Sequence, residues 1–282
     1  MKKYALTILV TVAATALVTA AGSMYLLDST GLPEGFVQED MFSEVLDEER
    51  EVIIDVPDSY YRNTDQAYPV VYVLGGSTLT FSVASTVDLM SRIEAMPEAI
   101  VVGIPNPSQD TRQRDLTPPF MLRDLDEADS ELGAADEYLS FIEHEVVPLV
   151  EGQYRTSNFR MVVGHSREGL CVMYSLMTRP SLFDARFVHS PALWREDNVF
   201  VTRFEAFLDS IPTLDSYVFM SLGDAEVEKM RRAYNMTVEA LEKHGPPGLR
   251  WHSSITVAET HANNALMATP VGFHQLFEDP WE

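Results

Sequence analysis

At 282 residues the chain is long enough to bury a sizeable core, as one large domain or two small ones. With 46% hydrophobic residues, no low-complexity tract and no internal repeat, it reads as an ordinary globular protein and not as a disordered or fibrous one. A formal net charge of −23 argues against nucleic acid and anionic membrane surfaces as partners.

In chain order, Lys2 and Lys3 come first, followed by an uncharged stretch from Tyr4 to Leu27 with small residues clustered at Val18–Gly22. That pattern predicts a bacterial export signal over residues 1–21, cleaved after Ala20 or Ala21, and so a periplasmic or secreted protein. Left uncleaved, the same stretch is long enough to anchor the chain in the inner membrane, the one way in which a membrane becomes a partner. Removing the signal takes away two lysines and no acids, leaving a charge of about −25. Residues 22–41, with Gly31, Pro33 and Gly35, read as a linker, and 42–282 as a single domain. One cysteine, Cys171, excludes an internal disulfide and is expected to be a small core residue.

Within 42–282, apolar runs predict strands at Phe42–Leu46, Arg50–Val56, Val70–Leu74, Ile100–Ile104, Phe159–Val163, Ala185–His189, Tyr217–Leu222 and Trp251–Ala258. Several are continuous Val/Ile-rich runs, as expected of strands covered on both faces. Helical spacing appears at Leu139, Ile142, Val146 and Leu149/Val150, and again across 227–243 through Met230, Ala233, Val238 and Leu241. The alternation predicts an α/β fold: a mostly parallel central sheet of about eight strands, covered by helices on both faces. Such sheets bind ligands at the carboxyl ends of their strands.

The most informative stretch is Arg160–Leu170. A buried strand leads through Gly164-His165-Ser166 into a helix, the pattern of a nucleophile elbow, which lifts a serine hydroxyl clear of the backbone. Gly164 leaves room for the turn, while Glu168 stands where a small residue is usual. The plainer role for Ser166 is a helix N-cap. Downstream, one strand ends in Gly223-Asp224-Ala225-Glu226 and the last in Glu259-Thr260-His261, giving the order serine, acid, histidine of an α/β-hydrolase triad. His261 is the expected base because it sits in a short loop after the last strand, with His189 and His274 as the other candidates. Either Asp224 or Glu226 could orient it. An oxyanion hole would use the Arg167 N–H and, from the Gly75-Gly76 turn, the Ser77 N–H. No histidine–carboxylate cluster has metal spacing, and no phosphate-binding or dinucleotide loop is complete, so no metal or cofactor is expected.

Several ordered stretches resemble the putative-esterase family of α/β-hydrolases, which includes siderophore (enterochelin-type), esterase-D-like, feruloyl and acetylxylan esterases and mycolyl transferases. They are Ser43–Leu46, Tyr68–Gly76, Ile100–Asn106, Arg114–Pro118, the elbow, Thr178–Asp184 and Ser190–Trp194, in a match spanning about residues 42–278. The resemblance implies a serine esterase that acts on a small-molecule ester through an acyl-enzyme. Acyl transfer to an alcohol, or a non-catalytic binding role on the same scaffold, would be the alternatives. It points to Glu226 as the acid, since the family's acid often lies three residues after the glycine, and also admits a serine–histidine dyad. It marks Gly76, Arg114, Arg167 and Trp194 as candidate substrate-pocket residues. A guanidinium at 167, where an apolar side chain is usual, would either favour an ester whose acyl part carries a carboxylate or several hydroxyls, or pair with Glu168 or another acid at the rim and face water.

Overall fold

A computed structural model describes residues 32–127 and 129–278; the predicted export segment and the first part of the linker lie outside them. The chain divides into two units, Met1–Val37 and Gln38–Glu282. In the first, residues 32–37 make a turn closed by the Phe36 N–H on the Pro33 carbonyl at 3.3 Å.

The elements are β1 Phe36–Ser43, β2 Glu48–Asp55, β3 Tyr68–Leu74, α1 Ser77–Arg92, β4 Ile100–Ile104, α2 Gln109–Asp115 and α3 Ala135–Phe141. A π-helical turn, Ile142–Val146, joins α3 to α4 Val147–Gln153. Then follow β5 Thr156–His165, α5 Arg167–Thr178, β6 Ala185–His189, α6 Arg195–Ser210, β7 Ser216–Gly223, α7 Glu228–His244, β8 Leu249–Thr256 and α8 Asn264–Glu278. The eight strands form one sheet in the order β1-β2-β4-β3-β5-β6-β7-β8. From β4 to β8 every neighbouring pair is parallel, and β2 runs antiparallel to β4.

Both faces of the sheet are covered, as the continuous apolar runs require. Every residue of β4, β6 and β7 is buried. Successive side chains of a strand point to opposite faces. Val162, Val188, Val218 and Met220 join one core with Leu170, Val172 and Met173 of α5. On the other parity, Phe187 and Phe219 lie against α8, so closely that a methyl group on Gly272 would come within 2.7 Å of both rings. At the sheet's edge β8 exposes Ser253 and Ile255.

The predicted strands are all present; Ile100–Ile104 and Ala185–His189 match to the residue, and the others have shifted ends. The first runs Phe36–Ser43 and not Phe42–Leu46, so part of the stretch read as linker is strand and residues 44–46, expected as strand, form a turn. Its position explains the difference: an edge strand accepts Gln38, Glu39 and Asp40, which interrupt the apolar run sought in the sequence. The last strand likewise ends at Thr256 and not at Ala258. Registers level the carboxyl ends that matter: Val73 pairs with Val163, His165 with His189, His189 with Ser221, and Gly223 with Thr256. Loops leaving those ends therefore meet on one rim of the sheet.

Candidate active site

Between β5 and α5, Ser166 adopts φ 62° and ψ −114°, a sparsely populated conformation for a residue with a Cβ and worth of order 1–3 kcal/mol of strain. Neighbours hold it there. The Ser166 N–H donates to the His189 carbonyl and the Ala192 N–H to the Ser166 carbonyl, both at 2.9 Å. Gly164 is required, since a Cβ there would stand 2.6 Å from the backbone of Glu168.

The turn aims the hydroxyl at His261. Ser166 Oγ lies 2.9 Å from His261 Nε2, and His261 Nδ1 lies 3.0 Å from Glu226 Oε2. An ionised carboxylate only accepts, so Nδ1 carries the proton and Nε2 is left to accept from the serine. Burial by itself would raise the Glu226 pKa. Hydrogen bonds from His261, from the Ser190 hydroxyl at 2.5 Å and from the Gly223 N–H at 2.9 Å outweigh it and hold the carboxyl below its ordinary value. Asp224 lies elsewhere: its Oδ1 accepts from the Ala258 N–H at 2.7 Å and so pins the turn after β8.

Several contributors were not singled out by sequence reasoning. His165 stacks on His261 with ring centroids 4.6 Å apart, and its Nε2 donates to the His261 carbonyl at 2.6 Å. Burial, then the neighbouring His261, lowers the His165 pKa and favours a neutral ring. Behind Glu226, Asn264 Nδ2 donates at 2.9 Å to both Ser190 Oγ and Ser221 Oγ. Ser221 Oγ lies 2.7 Å from His189 Nδ1, and His189 Nε2 lies 3.2 Å from Thr269 Oγ1. His189 is thus a buried member of this chain of hydrogen bonds, with burial pushing its pKa down to about 3, and not the base facing Ser166. His274, the other candidate, pairs with Glu278 on the exposed side of α8.

Ser77 and Arg167 are each the first residue of a helix, α1 and α5, where the backbone N–H has no acceptor within its own helix. Gly75, at φ 105°, brings the first of these turns against the second: a Cβ on it would lie 3.0 Å from Glu168 Oε1. Glu168 itself points into a two-pronged ion pair, Oε1 to Arg112 Nε at 2.6 Å and Oε2 to Arg112 Nη2 at 2.7 Å. A cavity of about 250 Å³ opens here, lined by Gly75, Gly76, Arg112, His165, Glu168 and Ala262 together with several aliphatic side chains.

Of the expected pocket residues, Gly76 lines this cavity and three do not. The Arg167 side chain is buried under the loop before α3, its Nη1 donating to Thr117 Oγ1 and the Arg123 carbonyl, both at 2.8 Å. Its guanidinium meets backbone and hydroxyl acceptors there, and burial lowers its pKa to about 10. Arg114 binds Glu48 and Asp115, in a network where Asp115 also takes the buried Arg50 at 2.5 Å. Trp194 lines a separate pocket, with the Lys229 ammonium 3.3 Å over its ring. Cys171 is fully buried in α5, as a core residue should be. Among the described residues no group of three or more His, Cys, Asp or Glu side chains could hold a metal ion.

Residues 43–239 match the sequence model of the family described as putative esterase. The chain belongs to that family. Among its relatives, the siderophore triacetylfusarinine C esterase of Aspergillus fumigatus is 31% identical over 153 residues, half of this chain and half of that protein. The ferri-bacillibactin esterase BesA of Bacillus subtilis is 26% identical over 182 residues, covering 59% of this chain and 62% of that one. The chain thus spans about half to three fifths of the length of these two relatives. In three dimensions, the IroE-like serine hydrolase of Shewanella oneidensis superposes with a TM-score of 0.78 at 28% identity, over 86% of this chain and 80% of that one. The sheet is that of an α/β-hydrolase.

Proposed function

We propose that the protein is a serine esterase acting on small-molecule carboxylic esters through an acyl-enzyme. The observation that carries this reading is the unbroken relay from Ser166 Oγ to His261 to Glu226, at 2.9 and 3.0 Å. Ser166 Oγ attacks the ester carbonyl carbon as His261 Nε2 takes its proton. The oxyanion accepts from the Ser77 and Arg167 N–H groups. The carbon–oxygen bond to the alcohol then breaks, and His261 returns the proton to the departing oxygen. Water repeats the sequence on acyl-Ser166 and releases the acid. Glu226 fixes the imidazole tautomer and stabilises the imidazolium. Every step uses groups of the protein and water.

Relatives named as esterases of siderophores support a siderophore-type ester as substrate. The N-terminal Lys2-Lys3, apolar stretch and small-residue cluster support export to the periplasm or beyond. Ser166→Ala tests the chemistry: hydrolysis of a 4-nitrophenyl ester should fall by roughly 10³-fold or more with the melting temperature kept. Activity within about tenfold of the parent would reject the nucleophile assignment. Fractionation of the producing cells tests the location, since recovery in the cytosol would reject export.

A further inference from the structure

We infer that the cavity beside Ser166 holds the acyl group of the ester as a neutral ring or short chain, and that Glu168 determines this by cancelling the charge of Arg112. The inference rests on Ser166 being the nucleophile.

Position comes first. His165 and Glu168 flank the serine on either side, Gly76 precedes the proposed oxyanion donor, and Ala262 follows the base, so the cavity borders the reacting centre. The acyl substituent hangs from the same carbon as the oxygen that Ser77 and Arg167 would bind, which places it over the Gly75-Gly76 wall. Size comes next. At about 250 Å³ the space exceeds the roughly 150 Å³ cavity that accommodates benzene, enough for one substituted ring or a chain of several carbons.

Charge decides the class. Apart from Thr78, the cavity's remaining side-chain walls are aliphatic, among them Leu74, Leu79, Ala265 and Leu266. Three titratable side chains face it: Arg112, Glu168 and His165. Arg112 alone would invite a carboxylate, because its planar edge matches one through two parallel hydrogen bonds. That edge, Nε and Nη2, is already filled by both oxygens of Glu168, whose side chain is only 7% exposed. An incoming carboxylate would find no open fork and a buried negative charge beside it. A neutral acyl group meets an apolar wall and a pair of charges that satisfy each other.

The test compares 4-nitrophenyl hexanoate with the 4-nitrophenyl monoester of adipic acid, which exchanges the terminal methyl for a carboxylate. In the parent, kcat/KM should favour hexanoate by roughly tenfold or more at pH 7.5. Glu168→Gln leaves Arg112 uncompensated and should move that ratio at least about tenfold toward adipate. Adding Arg112→Leu to Glu168→Gln should reverse the gain. Glu168→Gly, which has no side chain to misfit, gives the same reading if the glutamine variant folds poorly. Parallel changes in both esters overturn the inference, as does a charge preference that responds only when the carboxylate is moved to the alcohol half. A parent that hydrolyses neither ester would instead defeat the nucleophile assignment, and this inference with it.

Discussion

At the residue scale, the two carboxylates after β7 have separate tasks. Glu226 meets the imidazole, whereas Asp224 holds the backbone at Ala258. Glu226→Gln should therefore lower kcat/KM by roughly 10²–10⁴-fold, and Asp224→Asn by less than about tenfold. A larger loss at Asp224 would reverse the roles, and little loss at either would indicate a serine–histidine dyad. The Ser190 hydroxyl is one of the bonds keeping Glu226 ionised against its burial. Ser190→Ala leaves burial less opposed, so the Glu226 pKa rises and the acidic limb of kcat against pH should move to higher pH. An unmoved limb would show that the hydroxyl only packs. Ser166 and His261 were legible in the sequence because each follows a recognisable strand by a few residues, whereas Glu226 was separated from Asp224 only by the family resemblance. Arg112 and Asn264 were not. Their partners lie 56 and 74 residues away, and only the closed sheet brings them together.

At the element scale, the strand cores could be read, whereas the ends could be read only for β4 and β6. β4, β6 and β7 are buried through their length, and β3 is apart from Pro69, so they write themselves as apolar runs, while β1 at the edge does not. The π-helical turn at Ile142–Val146 was hidden too, since its apolar positions still fit ordinary helical spacing. One contact between elements can be tested directly. A Cβ on Gly223, the last residue of β7, would stand 2.3 Å from the Glu259 carbonyl, two residues before His261. Gly223→Ala should cost about 1–3 kcal/mol of stability and, by pushing the base's loop outward, lower kcat at least about tenfold. Gly152→Ala is the control. Nothing lies within 4 Å of its added methyl, and in α4 it should stabilise by up to about 1 kcal/mol. Equal effects in the two variants would reject the steric argument.

For the whole molecule, the dominant fact is an excess of 43 acids over 20 bases. Its cost is visible at Asp55, at the end of β2, where burial and then Asp88 and Asp58 raise the pKa to about 6. The folded chain holds that proton more tightly than the unfolded one, so the group's contribution is complete only below the unfolded value of 3.8 and is lost as pH rises through about 6. Asp55→Asn should accordingly stabilise by about 1–2 kcal/mol at pH 8 and by little at pH 4. Denaturant midpoints at the two pH values check this, and equal gains at both would reject it. The site, too, belongs to the whole chain. Its serine and histidine are separated by 95 residues, and α8, which seals the face over Phe187 and Phe219, follows them both. A polypeptide is made from its N-terminus, so nascent chains released before residue 261 carry the proposed nucleophile without its proposed base, however well their early strands have formed. The proposed hydrolysis therefore requires synthesis to pass residue 261, and copies cut short before it are expected to cleave no ester.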